Sequence, residues 1–437
     1  MIDYSNTRAL IVGGGKSGLA AARYLRARGA QVVISDSKPQ PAQIEFPQTG
    51  QAETDADGFD TLIQSPGVPL ELPIFERARA RGARIIGELE LAAEELAGFL
   101  IGITGANGKT TTTALIGHIF RHAGRPTLVG GNIGVPLTDL VAQSSPDTTV
   151  VVELSSFQLE TMESFRARIA LVLNITPDHL DRHHTFARYV DAKARLVERQ
   201  TAAGFAVLNA AEPNTRALAG RTAAKVIWFN LDAPAESGVA CAADQIWLGH
   251  VALMPVAAIP LPGRHNVENA MAAAAAAWLA GLEPAVIAEA IGSFPGVEHR
   301  IEFVRELDGV RYYNDSKATN VDAAEKAIDA FAGGLWIVLG GKDKQSDYRS
   351  LAHRLAAKAK GVLLIGAAAP IIRQHLSEVV SSLPLTDCDT LNVAIRTARR
   401  LAAPGDIVLL SPACASFDQF QSYEHRGRVF KDLVHSL

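Results

Sequence analysis

Lys109 and Thr110 stand at the head of a helix-like run, Thr110 to His122, directly behind a glycine turn, Gly105-Ala106-Asn107-Gly108. An apolar strand candidate, Phe99 to Ile103, leads into that turn. A strand, a glycine turn and a Lys-Thr helix start make a cradle for a triphosphate. Glycines let backbone N–H groups approach the phosphate oxygens, the lysine neutralises their charge, and the threonine hydroxyl can hold Mg2+. The common form of the loop has a further glycine five residues before Gly108, where this chain has Ile103. The segment is therefore a variant cradle, and it points to a chain that spends a nucleoside triphosphate. An ordinary strand–turn–helix is the plainer alternative.

A second glycine loop, Gly13-Gly14-Gly15-Lys16-Ser17-Gly18, also lies between a strand and a helix candidate, and Asp36 ends the next strand. By itself this is the pattern of a dinucleotide site, with the acid on a ribose hydroxyl. Two diphosphate-type loops in one chain make simple dehydrogenase chemistry a poor fit, so the first loop can serve the diphosphate of another nucleotide. Ser65-Pro66-Gly67 reads as another edge of that pocket or as a plain turn.

Thr149 to Glu153 is an apolar strand that delivers a carboxylate at its C-terminal end, a suitable Mg2+ ligand beside the phosphate loop or simply a partly exposed glutamate. Asp178, His179, Asp181, His183 and His184 form a dense polar cluster after another strand. Asp178 and His179 could touch a metal or substrate, while His183 and His184 read as readily as a solvated loop. No zinc spacing is present. Lys193 sits in a helical stretch, Phe186 to Gln200, and composition alone makes it a surface lysine.

These residues need a scaffold of alternating strands and helices. Strand candidates at Ala9–Val12, Gln31–Ser35, Thr61–Gln64, Leu100–Ile103, Thr149–Val152, Ala170–Asn174, Leu335–Leu339 and Asp406–Leu410 alternate with helical patterns such as Leu19–Arg28, His265–Leu279 and Asp322–Phe331. The fold class expected is α/β with mainly parallel sheets. Turn signals and a fresh strand pattern divide the chain into residues 1–93, 94–296 and 297–437. A hydrophobic content of 48% excludes a disordered chain, and a net charge of −4 argues against a nucleic-acid binder. Cys241, Cys388 and Cys414 show no paired spacing, which favours a reducing compartment. The N-terminus lacks a signal-peptide layout and the longest low-polarity stretch, Ala270 to Leu282, is too short to span a bilayer, so a cytoplasmic location without membrane insertion is expected.

Taken together the motifs resemble the Mur ligases, ATP-dependent enzymes that build the peptidoglycan stem peptide. The resemblance rests on Gly105-x-Asn107-Gly108-Lys109-Thr110, on Glu153-Leu-Ser-Ser, on Asn174-Ile-Thr-x-Asp178-His179-Leu-Asp181 and on Pro262-Gly263-x-His265-Asn266-x-x-Asn269. Three further stretches, Glu153 to Glu160, Asn314 to Asn320 and Ser411 to Phe420, are similar to the branch that adds D-glutamate to UDP-N-acetylmuramoyl-L-alanine. The motifs run in order along essentially the whole chain.

The resemblance implies three domains: an N-terminal Rossmann-like domain (1–93) for the UDP precursor, a central P-loop-type ATPase domain (94–296), and a C-terminal Rossmann-like domain (297–437) that binds glutamate and closes on ATP. It implies ATP contacts at Gly105, Asn107, Gly108, Lys109, Thr110, Thr111, Asn266, Asn269, Arg300 and Asp315. Precursor contacts fall on Ser17, Asp36, Ser37, Gly67 and Asn132, and glutamate contacts on Thr319, Lys344, Ser416 and Tyr423. Catalytic roles fall on Lys109, Lys193, His179 and Lys317. Two Mg2+ ions are implied, with Thr110, Glu153, His179 and a CO2-derived carbamate on Lys193 as ligands. A carbamate offers the hard oxygen that an ammonium lacks. A monomer is expected. Rival readings are a nicotinamide-dependent oxidoreductase, a P-loop NTPase switch, and a relative joining L-glutamate.

Overall fold

Gly13-Gly14-Gly15 follows the central strand of a five-stranded sheet in the computed structural model, which describes residues 2–37, 45–50, 56–236, 238–343 and 346–437. That sheet is wholly parallel, in the order Gln48–Gly50, Gln31–Asp36, Arg8–Val12, Thr61–Gln64, Arg84–Gly87. The chain reverses its winding between Arg8–Val12 and Thr61–Gln64. The loops after those two strands therefore open a crevice at their C-terminal ends, where a doubly wound sheet takes a ligand.

The second sheet has nine strands. Its parallel part runs Thr127–Gly131, Thr149–Glu153, Phe99–Thr104, Ile169–Val172, Phe205–Asn209, Lys225–Leu231, Gly238–Ala242, and it ends in the antiparallel strands Gln245–Leu248 and Val251–Pro255. Phe99–Thr104 lies at this sheet's switch point, pairing Ile103 with Glu153 on one side and with Leu171 on the other. The helix Lys109–His122 leaves directly from its tip. The two sheets share one apolar core, from Ala9 and Ile34 to Leu137 and Val152. Glu90, fully buried beneath the first sheet, accepts the backbone N–H groups of Glu163 (2.8 Å), Ser164 (2.6 Å) and Phe165 (3.3 Å). Three donors on one carboxyl group tie the helix Glu88–Ala93 to the loop that leads into Ile169–Val172 of the second sheet and satisfy the buried oxygens.

The third sheet has six strands, in the order Glu302–Leu307, Val310–Asn314, Ile407–Leu410, Leu335–Gly340, Ala359–Ile365, Leu385–Asp389. Only the first pair is antiparallel. Residues 1–258 and 268–293 form one compact unit, carrying the first two sheets, and residues 259–267 and 294–437 form a second, carrying the third. Every strand expected from β-branched runs has its counterpart in the structure. The hairpin strands between Gly238 and Pro255 are an addition from the structure.

Candidate active site

The phosphate loop is shaped by backbone that only glycine adopts readily. Gly108 has φ +83°, and a Cβ there would lie 2.3 Å from Asn269 Oδ1. Gly105, at φ +159°, leaves its carbonyl turned towards two lysines. Lys109 Nζ donates to that oxygen at 2.8 Å and to Ala106 O at 2.9 Å. Lys193 Nζ donates to the same Gly105 oxygen at 2.8 Å. Asn174 fastens the loop from the next strand: its side chain accepts from Asn107 N at 2.8 Å and donates to Asn107 O at 3.2 Å. Asn269 accepts from Thr112 Oγ1 at 3.3 Å, which brings one of the expected adenine-side residues to the helix that carries Lys109, Thr110 and Thr111.

Lys193 is not a surface lysine. Its residue is 1% exposed, on the helix Phe186–Glu198, with Nζ over the Tyr189 ring at 4.7 Å. Burial, reinforced by the charge of Lys109, holds its amine well below the usual lysine range, against the pull of Asp178 and Glu153. Nothing local in the sequence signals this. The three-dimensional partners, Gly105 and Thr104, lie almost ninety residues away.

Glu153 is likewise 1% exposed, so the partly exposed alternative fails. Asn132 Nδ2 donates to Glu153 Oε1 at 2.8 Å, while Glu153 Oε2 is buried with no hydrogen-bond partner. An orphaned carboxylate oxygen beside a phosphate loop is a fit for Mg2+, which takes hard oxygens. Among the described residues no three His, Cys, Asp or Glu side chains converge as a ready-made metal cage. His179 is in the left-handed region (φ +52°), half exposed, with its ring 5.0 Å from that of Phe157. His183 departs from the solvated-loop alternative: it is buried, stacked on Phe157 and 2.9 Å from Ser156 Oγ. Burial pushes its imidazole down to about 4. His184 is exposed.

In the first sheet's crevice lies a cleft of about 450 Å3, lined by Ser17, Asp36, Ser37, Gly67 and Asn132, among others. All five expected precursor contacts thus face one cavity, and Ser65-Pro66-Gly67 forms an edge of it. Asp36 Oδ2 accepts from Gly14 N at 2.6 Å, which orients the acid at the strand end. Gly18 must be glycine, because a Cβ would meet the Gly13 carbonyl oxygen at 2.0 Å. Lys16 donates to Gly134 O across the cleft, and Gln158, which the motif reading left without a role, also lines it.

The second unit holds Asn266, Arg300, Asp315, Lys317, Thr319, Ser416 and Tyr423. Asp315 is buried at the end of Val310–Asn314, accepting from Ser411 Oγ at 2.9 Å and Ile301 N at 3.2 Å. Burial pushes its carboxyl up to about 7, against Ser411 and Arg300. Arg300 Nε is buried without a partner, and Asn266 Nδ2 donates to Pro262 O at 2.7 Å. Lys317 Nζ lies 6.0 Å from the centre of the Tyr423 ring, and Ser416 is buried. Lys344 lies outside the described residues.

Three family profiles match the chain in order: the Mur ligase MurD-like N-terminal domain over residues 7–87, the Mur ligase middle domain over 103–277, and the Mur ligase glutamate ligase domain over 299–414. The UDP-N-acetylmuramoylalanine–D-glutamate ligase of Solibacter usitatus is 53% identical over 98% of each chain. The chain belongs to the Mur ligase family. A ligase of the same name from Pelotomaculum thermopropionicum is 43% identical over 100% of this chain and 99% of its own. Among solved structures, UDP-N-acetylmuramate–alanine ligase MurC from Thermotoga maritima superposes with a TM-score of 0.61 at 18% identity, covering 98% of this chain and 99% of that one. A pseudomurein peptide ligase type C from Methanothermus fervidus gives 0.59 at 18%, covering 99% and 100%. Those two likenesses establish the Mur ligase fold. As a Mur ligase the chain is an ATP-dependent, amide-forming enzyme that requires Mg2+. Among the described residues, no helix is long and apolar enough to cross a membrane.

Proposed function

We propose that this Mur ligase joins D-glutamate to UDP-N-acetylmuramoyl-L-alanine in the cytoplasm, spending ATP and releasing ADP and phosphate, as a step of peptidoglycan precursor synthesis. The observation that carries the reading is the hydrogen bond from Asn132 to Glu153. One end of it lines a nucleotide-sized cleft and the other stands beside the phosphate loop, so a precursor in the cleft and ATP on the loop would meet there.

A carboxylate is a poor electrophile because its oxygen leaves badly. Transfer of the ATP γ-phosphoryl group to the alanine carboxylate makes an acyl phosphate. The D-glutamate amine then attacks the carbonyl carbon, and the tetrahedral intermediate expels phosphate as the amide forms. Most of the rate comes from positioning and from neutralising charge on the transferring group. In this scheme Ser17, Asp36, Ser37, Gly67 and Asn132 hold the precursor, with residues 1–93 as its domain. Gly105 to Thr111 cradle the triphosphate in residues 94–296, with Lys109 on its charge and Asn266, Asn269, Arg300 and Asp315 on the rest of the nucleotide. Lys317, Thr319, Lys344, Ser416 and Tyr423, in residues 297–437, hold the reacting carboxylate and the incoming glutamate.

Thr110, Glu153, His179 and a carbamate on Lys193 would hold two Mg2+ ions, which supply charge neutralisation for the phosphates. The buried, depressed amine of Lys193 supports the carbamate, because only a neutral amine attacks CO2. Phosphate release with ATP and Mg2+ tests the coupling. It should require both the UDP precursor and an amino acid. Release from ATP alone would favour an uncoupled NTPase, and stabilisation by NAD rather than by UDP would reopen the oxidoreductase reading.

A further inference from the structure

Arg426 is the largest fully buried side chain among the described residues, 0% exposed, one turn into the helix Tyr423–His435. Its guanidinium donates from all three nitrogens: Nε to Ser316 Oγ at 3.0 Å, Nη1 to Cys414 O at 3.2 Å and Ala415 O at 3.4 Å, and Nη2 to Ser316 O at 2.8 Å and Cys414 O at 3.2 Å. Ser316 Oγ in turn donates to Tyr423 O at 2.8 Å. Among the described residues Arg426 forms no ion pair. Asp418 and Asp315 act on it only at longer range, and burial brings it down to about 10, so it stays charged at neutral pH.

Every acceptor belongs to one of two turns. Asp315-Ser316-Lys317 follows the strand Val310–Asn314, and Cys414-Ala415-Ser416 follows Ile407–Leu410, its neighbour in the sheet. A third turn passes against the same group: a Cβ on Gly341, just after Leu335–Gly340, would lie 3.2 Å from Arg426 Nη1 and 2.3 Å from Ala415 O. Lys342 N also donates to Ala415 O at 2.8 Å. The C-terminal ends of three adjacent strands thus converge on one planar cation. These are the strand ends at which a doubly wound sheet presents a ligand.

A buried cation without a counter-ion is costly, and an apolar side chain of similar volume would fill the space more cheaply. What an apolar group cannot do is hold carbonyls and a hydroxyl from two separate turns at fixed angles. Lysine cannot do it either, since its donors radiate from a single point rather than from a planar fork. The charge has a second effect. Asp315 and Asp418 offset its field only from longer range, so the remaining positive field lowers the cost of placing an anion over the turns.

We propose that Arg426 is the positioning residue of the amino-acid subsite, fixing the turns that carry Lys317 and Ser416 and supplying a field for a dianionic amino acid; this rests on the reading of those turns as the glutamate subsite. The test is steady-state kinetics of full-length Arg426→Lys with ATP, the UDP precursor and D-glutamate each varied, alongside thermal melting. The KM for D-glutamate should rise about tenfold or more, as expected for losing charge-assisted hydrogen bonds. The other two KM values should rise by clearly less, because Arg426 bonds directly only to Ser316, Cys414 and Ala415, none of them assigned to those substrates, and reaches Asp315 and Lys317 only through their shared turn. Guanidinium added to Arg426→Ala should recover part of the D-glutamate affinity. An unchanged D-glutamate KM in the folded variant, or all three KM values rising by the same factor, would overturn the proposal. Should Arg426→Lys fail to fold, Arg426→Gln, neutral but planar, decides by the same split. Ser416→Ala separates the two layers of the argument. If it leaves the D-glutamate KM unchanged the subsite reading falls, whereas if it weakens D-glutamate and Arg426→Lys does not, only the role of Arg426 falls.

Discussion

Lys109 and Lys193 donate to the same acceptor, the carbonyl oxygen of Gly105, each at 2.8 Å. Two ammonium groups on one oxygen repel, and the more deeply buried one gives way: Lys193 is depressed by its burial first and by Lys109 second. The phosphate lysine thereby shifts its neighbour towards the neutral form, the only form that can take up CO2. Wild-type protein in 13C-bicarbonate should show a carbamate carbon signal by NMR that Lys193→Arg lacks, and Lys193→Arg should be inactive. An active Lys193→Arg enzyme would remove Lys193 from the metal site.

Lys109→Ala should abolish ATP-dependent turnover while leaving binding of the UDP precursor near normal, because the cleft is built by the first sheet's loops together with residues 131–136 and Gln158, not by Lys109. Calorimetry with the precursor and a turnover assay check the two halves separately. Strong ligase activity in the variant would sink the phosphate-loop assignment.

How far the sequence reached depends on whether a function is local in the chain. Glycine loops are local: the positive φ of Gly13 and Gly108 and the Lys-Thr helix start are consecutive residues, and they were legible as such. Lys193 is the opposite case, since its burial is decided by Gly105 and Thr104 on a distant strand end. Asn174 opens one of the motifs that carry the resemblance but has no role there, although it closes the phosphate loop. His183 and Arg426 look like ordinary polar residues in sequence because burial of a polar side chain leaves no periodic mark. The alternation of strands and helices was plain. The short strands Gln48–Gly50 and Thr127–Gly131, poor in apolar residues, were not.

Glu153→Gln keeps an acceptor for Asn132 but replaces the orphaned oxygen with an amide. Mn2+ titration followed by electron paramagnetic resonance, in the presence of a non-hydrolysable ATP analogue, should show weakening of roughly 10–100-fold or more. Equal affinity would mean that Glu153 does not ligate the ion.

Glu88 links the helix Glu88–Ala93 to Thr138, whose N–H and hydroxyl it accepts at 2.6 and 2.9 Å. Burial raises it from the ordinary 4.5 to about 7, and its Oε2 is buried without a partner. Between those values the folded protein binds the proton more tightly than the unfolded chain. Its contribution to stability therefore falls as pH rises from 4.5 through 7 and is level beyond, a change on the order of 3 kcal/mol. Melting of wild type against Glu88→Gln from acid to neutral pH should show wild type losing ground as pH rises. A constant difference would contradict the burial argument.

The central claim is the identity of the bond formed. Purified protein incubated with ATP, Mg2+ and UDP-N-acetylmuramoyl-L-alanine, with D- or L-glutamate in parallel, should give by mass spectrometry a product heavier by one glutamyl residue with the D-enantiomer only. The same product from L-glutamate, or no product from either while phosphate is released, would contradict it.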